Sequence, residues 1–240
     1  MRRTPTKEEY DALASCCLSY VTGSSVYGLD VETSDLDLRG ITPPTLGDYV
    51  NLRQPAETTR ADSIDLQTWG LHHWLSLFRK GSPNALEAAL LPSDAVIHAD
   101  RIGRLILDGA AESLNRRFVR PLEGYSHQQC KRWRRTGNPK SLMHAVRVMR
   151  MACELVEYGS ASLRRDADRD ELLAVRGGET TDGVRLWHEA KERLERLKTQ
   201  FSPLPDDADW TWMDEVRQLA FEQAVGRSVQ SISYTGNSNT

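Results

Sequence analysis

Apolar positions in the first hundred residues come in short bursts, whereas those of the second half recur at helical spacing. The run from Ser15 to Val21 has the length of a strand and suits a buried one. Leu36, Leu38 and Ile41 predict a second strand over Asp35–Ile41, closed by the turn formers Pro43, Pro44 and Gly47. A third, Asp62 to Trp69, alternates polar and apolar residues, and Val96–Ile97 predicts a short fourth. Lys7 to Leu13, Val26 to Leu29, Trp69 to Phe78 and Arg101 to Leu107 read as helices. Residues 51–61 are polar and read as a mobile loop over whatever site the strands carry. Ser82 before Pro83 predicts a helix N-cap, with Asn84 and Glu87 as an alternative capping box.

From Asp108 onward the pattern is helical throughout. In Pro139 to Glu157 the residues Leu142, Val146, Met149, Cys153 and Val156 form one apolar stripe. Thr181 to Gln200 and Met213 to Ile232 read as two further helices. The expected fold class is therefore α/β (α+β). A small mixed β-sheet domain with flanking helices spans residues 1–108, and an all-helical domain spans residues 109–232. The polar tail, residues 233–240, is expected to be disordered.

Composition narrows the class. At 240 residues, 39% hydrophobic and 27% charged, the chain has the make-up of an ordinary globular protein. No apolar run approaches the ~20 residues that a membrane span needs. Lys7-Glu8-Glu9 follows the first residues where a secretory leader would carry its apolar core, so a cytoplasmic location is expected. Cys16, Cys17, Cys130 and Cys153 lack C-x-x-C spacing and read as reduced thiols, in neither a disulfide nor a zinc site. Residues 116–150 hold ten Lys or Arg against one acid, Glu123, within a chain whose net charge is −3. That basic band on an acidic body suits a polyanionic partner.

The candidate chemistry lies in Gly23 to Gly40. On a strand, Asp35 and Asp37 point to one face with their bases roughly 6–7 Å apart. Both carboxylates then reach one divalent cation or bracket two, and oxygen ligands suit Mg²⁺ or Mn²⁺. Upstream, the Gly23-Ser24 turn can aim backbone N–H groups at a phosphate. In the second half, Lys140, His144 and Arg147 fall at i, i+4 and i+7, one line along a helix, able to clamp phosphates. Phe118, Tyr125 and Trp133 lie among the basic residues, the mixture found in single-strand nucleic-acid grooves.

Gly23-Ser24 followed by Ser34-Asp35-Leu36-Asp37 resembles the signature of the DNA polymerase β superfamily of nucleotidyltransferases. Asp35-Leu36-Asp37-Leu38-Arg39-Gly40 is similar to the branch linked to RNA repair. So are Lys140 with His144-x-x-Arg147, Arg176-x-Gly-Glu and Leu204-Pro205, while Ser82 departs from the Gly-Asn-Pro usual in that branch. The resemblance implies a third carboxylate, for which Asp65 is the candidate, and two Mg²⁺ (or Mn²⁺) ions held by Asp35, Asp37 and Asp65. It implies a nucleoside triphosphate substrate held by Gly23, Ser24, Lys140, His144 and Arg147, and an acceptor hydroxyl, in first place on an RNA end. A protein hydroxyl is the main rival acceptor, and a non-catalytic nucleotide- or RNA-binding module the rival from another class. Glu87 matches an acid of the same family and reads as structural.

Overall fold

The computed structural model describes residues 7, 13–32, 34–53 and 65–236. The loop expected over residues 51–61 falls mostly outside them, as do the expected strand start at Asp62 and most of the helix from Lys7.

Strand β1 (Leu18–Thr22) runs into the short helix α1 (Gly23–Tyr27), which ends at Gly28 in the left-handed region. Strand β2 (Asp37–Thr42) pairs antiparallel with β1. Helix α2 (Leu46–Val50), capped by Thr45 and Asp48, precedes β3 (Asp65–Gly70), which lies parallel to β2. Helices α3 (Leu71–Arg79) and α4 (Pro83–Leu86) follow, then a 3-10 turn over Glu87–Leu90. Strand β4 (Val96–Ala99) closes the sheet in the order β3-β2-β1-β4, and α5 (Arg101–Glu112) packs on it. The second half holds α6 (Val119–Thr136), α7 (Pro139–Tyr158), α8 (Arg169–Gly177), α9 (Thr180–Leu197) and α10 (Thr211–Gly236).

The mixed sheet with trailing helices is the expected class, with four differences in detail. First, β2 begins at Asp37 rather than Asp35, because pairing with β1 starts where Thr22 meets Asp37. Second, the helix after β1 starts at Gly23 itself, earlier than the Val26 expected from apolar spacing. Third, Ser82 stands at the N-cap before Pro83, yet no side-chain cap bond forms. The alternative box with Glu87 is absent too, since that carboxylate turns inward to Thr22 and Tyr27. Fourth, α10 continues to Gly236, into the tail expected to be disordered.

Facing residues in paired strands share a side, so the register sorts the sheet into rows. Leu18, Ile41 and Trp69 form an apolar row, then Tyr20, Arg39 and Gln67 a mixed one, then Thr22, Asp37 and Asp65 a polar one. The apolar row belongs to a core that runs without a break from Cys17 to Ala220, through both halves of the chain. The opposite face, with Cys16, Leu38 and Leu66, closes over a small separate cluster. Cys16 and Cys17 thus fall on opposite sides, and all four cysteines are free and buried. Helix α7 is buried well beyond the expected stripe, with Met143, Ala145, Val148, Met151 and Leu155 also inside. It lies between α6, α8 and α9, and a helix packed on several sides needs apolar residues all round. No helix among the described residues is long and apolar enough to cross a membrane.

Candidate active site

The polar end of the sheet opens into a cavity of about 180 Å³. Its floor is the sheet, with Asp37, Arg39, Asp65 and Gln67; its roof is α6 and α7, with Tyr125, His144 and Arg147. Asp37 and Asp65 are register partners on parallel strands, so backbone pairing alone brings two like charges side by side. Burial first, then the Asp65 charge and a hydrogen bond between the carboxyls, pushes Asp37 up to about 6. Lys140 and Arg39 pull the other way. A pair held this way is suited to a cation, and Mg²⁺ is commonly held by one or two carboxylates with substrate phosphates filling the rest of its shell.

Asp35 is placed differently. It lies two residues before β2, exposed, and does not line the cavity. Among the described residues no group of three side chains is arranged to hold a metal ion. The face shared by alternation is therefore Asp37 with Arg39, while Asp35 belongs to the entering loop. That loop is tied to the helical half: Arg176 donates to the Leu29 carbonyl (2.5 Å) and the Ser34 hydroxyl (3.1 Å), and Arg169 to the Gly28 carbonyl (2.8 Å).

Gly23 lines the cavity with φ at +65°, and a Cβ on it would overlap the Asp37 carboxylate. Glycine is needed there twice over, for the backbone angle and for the room. Ser24 is half-buried one residue further on. Glu87 is the buried anchor of this corner. It accepts from Thr22 Oγ1 (2.6 Å) and the Tyr27 hydroxyl, at the two ends of α1, and pairs with Arg39 Nε at 3.7 Å.

The roof supplies the cations. Arg147 is buried, its guanidinium 3.4 Å from the Tyr27 ring centroid. His144 is lowered to about 3, by burial first and then by Arg147, Lys140, Arg176 and Arg132, so it is neutral at ordinary pH. It acts as a hydrogen-bonding group rather than a cation. Lys140 is exposed at the start of α7, close enough for its charge to act on Asp37.

The basic band divides. Arg116 pairs with Asp206, Arg117 with Asp207, and Arg150 with Asp168 and Glu171. Lys131, Arg132, Arg134, Arg135 and Lys140 crowd the α6–α7 connection, exposed and without an ion pair among the described residues. Of the aromatics, Phe118 is core, its ring tilted against that of Phe78 with centroids 5.0 Å apart, and Trp133 packs against the core. Tyr125 alone of the three reaches the cavity.

Sequence reasoning missed Tyr27, Arg39, Gln67 and Asn84 as cavity residues. The signal for Arg39 was present, since the alternation that pairs Asp35 with Asp37 continues to it. The chain matches the RNA repair pathway DNA polymerase beta family over residues 6–219. A search of curated proteins returns no match.

Proposed function

The chain belongs to the RNA repair pathway DNA polymerase beta family, a family of polymerase β-type nucleotidyltransferases, and from that premise we propose a metal-dependent transfer of a nucleoside monophosphate to an RNA end. The observation that carries the reading is the Asp37–Asp65 pair, brought together by parallel register beneath Arg147 and His144 and beside Gly23. Two Mg²⁺ or Mn²⁺ ions, bound there, would neutralise triphosphate charge and lower the proton affinity of the acceptor hydroxyl.

The remaining work falls to side chains. Asp37 and Asp65 hold the cation end of the substrate, and Asp35 joins them if its loop swings inward. Gly23 and Ser24 present backbone N–H groups to the triphosphate, while Lys140, His144 and Arg147 hold it from the helical side. The acceptor oxygen bonds to the α-phosphorus as the bond from that phosphorus to the β-phosphate oxygen breaks, and pyrophosphate leaves. Asp65, the more exposed of the pair, takes the hydroxyl proton. Positioning and charge stabilisation supply most of the rate in such in-line reactions. In this reading residues 1–108 carry the chemistry and residues 109–232 close over it.

RNA is favoured as acceptor because Lys131, Arg132, Arg134, Arg135 and Lys140, exposed and without an ion pair among the described residues, lie on the two helices that roof the cavity. Incubation with each nucleoside triphosphate labelled at the α-phosphate, with Mg²⁺, RNA and cell lysate, tests the proposal directly. Label should enter RNA, and Asp37→Asn should abolish it while circular dichroism stays unchanged. Label in a protein band would replace the acceptor, and labelling unaffected by Asp37→Asn would remove the mechanism.

A further inference from the structure

The cavity holds one guanidinium, that of Arg39, which the proposed triphosphate contacts do not use. Arg39 projects from β2 one row deeper than Asp37, roughly 6–7 Å along the strand and away from the Gly23 turn. Its Nε and Nη1 are buried without a hydrogen-bond partner, as is Nε of Arg147 across the cavity. Trp69 lies 4.9 Å below the Arg39 guanidinium and Tyr27 lies 3.4 Å from that of Arg147, so aromatic faces orient both planes, while Arg147 Nη1 donates to Met151 Sδ at 3.6 Å. The carboxylate nearest Arg39, Glu87 at 3.7 Å, already accepts from two hydroxyls. Once Asp37 and Asp65 are committed to a cation, two guanidiniums face one carboxylate.

Buried donors left unpaired, in a site whose Asp37 and Asp65 are taken up by a cation, call for an anion rather than a neutral acceptor. A volume of about 180 Å³ is below that of a pocket for a whole drug-sized ligand, and suits one compact group. We propose that Arg39 and Arg147 form a phosphate subsite on the inner side of the Asp37–Asp65 pair. Its role, though not its existence, rests on the nucleotidyltransferase reading. The carboxylate row separates this anion from phosphates at the Gly23 turn, so it is a terminal phosphate, either the last of the nucleotide or one carried by the acceptor end. Guanidinium forks make paired N–H···O bonds to a phosphate that lysine cannot reproduce.

Titration calorimetry of the full chain with inorganic phosphate, in Mg²⁺ so that the Asp37–Asp65 pair is occupied, tests the subsite without reference to transfer. Wild type should bind phosphate. Arg39→Gln and Arg147→Gln, on separate elements, should each weaken binding about 10-fold or more, with Arg39→Lys between. Absence of phosphate binding in wild type, or binding unchanged in both Gln variants, would overturn the proposal. Parallel titrations with adenosine triphosphate and with RNA bearing or lacking a terminal phosphate identify the source by which affinity depends on Arg39. Arg39-dependent phosphate binding in a protein that transfers no nucleotide would keep the subsite and discard the transferase reading.

Discussion

The floor and the roof of the cavity are built by different means. On the floor, the register of paired strands sets Asp37 beside Asp65 and Arg39 beside Gln67, and a register moves only in whole residues. On the roof, His144 and Arg147 sit in the middle of α7, placed by side-chain packing, which yields in small steps. Changes to the floor should therefore act nearly all-or-none. Changes to the roof should be graded and fall mainly on affinity.

The largest effect is expected at Gly23. In Gly23→Ala the added methyl meets the Asp37 carboxylate, and φ of +65° is strained for alanine by about 1–2 kcal/mol. Asp37 has to move, and a displacement near 1 Å at a reacting centre costs about 10²-fold in rate. Transfer assays with urea denaturation check both halves. An active Gly23→Ala enzyme would mean the floor is as forgiving as the roof.

Next comes Arg147→Lys. The charge remains but the planar stack on Tyr27 and the forked donors go. Loss of one charge-assisted hydrogen bond, about 1.5–3 kcal/mol, predicts a nucleotide KM raised by 10-fold or more, with kcat changed less. An equal fall in kcat with no change in KM would place Arg147 with the floor residues.

Outside the cavity the contrast continues as a contrast between specific and diffuse contact. Lys131, Arg132, Arg134 and Arg135 are exposed and should act on RNA through counterion release alone. Replacing any one by Gln should reduce the slope of log affinity against log salt by roughly 1, without sequence preference. An unchanged slope for all four would remove this surface from the RNA path.

Much of the floor was legible because it is local. The Gly23 turn, Asp37 and the strand around them lie within a short stretch, and apolar alternation reports such strands. The same rule misplaced Asp35, because alternation in sequence cannot show where pairing with β1 stops. Lys140, His144 and Arg147 were legible as a line on a helix, but not their differences in burial, which depend on α6 and α8 packing around them. Glu87 was recognisable as an acid near a cap and as a match to a family acid, but not by its partners. Its bonds to Thr22 and Tyr27 join residues about sixty positions apart and leave no periodic trace.

The smallest effect is expected from His144, and it separates the roof from the floor by pH. Its Nδ1 is buried without a partner, and the charges of Arg147, Lys140, Arg176 and Arg132 all disfavour its protonation. In the folded protein it takes a proton only near pH 3, whereas in the unfolded chain it does so near its ordinary value of 6.5. Between these values the unfolded state binds the extra proton, so stability is full above pH 6.5 and declines as pH falls toward 3. His144→Gln removes this contribution and should flatten the decline in Tm relative to wild type across that window. Above pH 7 the two proteins should respond to pH alike. A decline of equal steepness in both would mean that His144 titrates normally, and that α7 presents it to solvent rather than to the cavity.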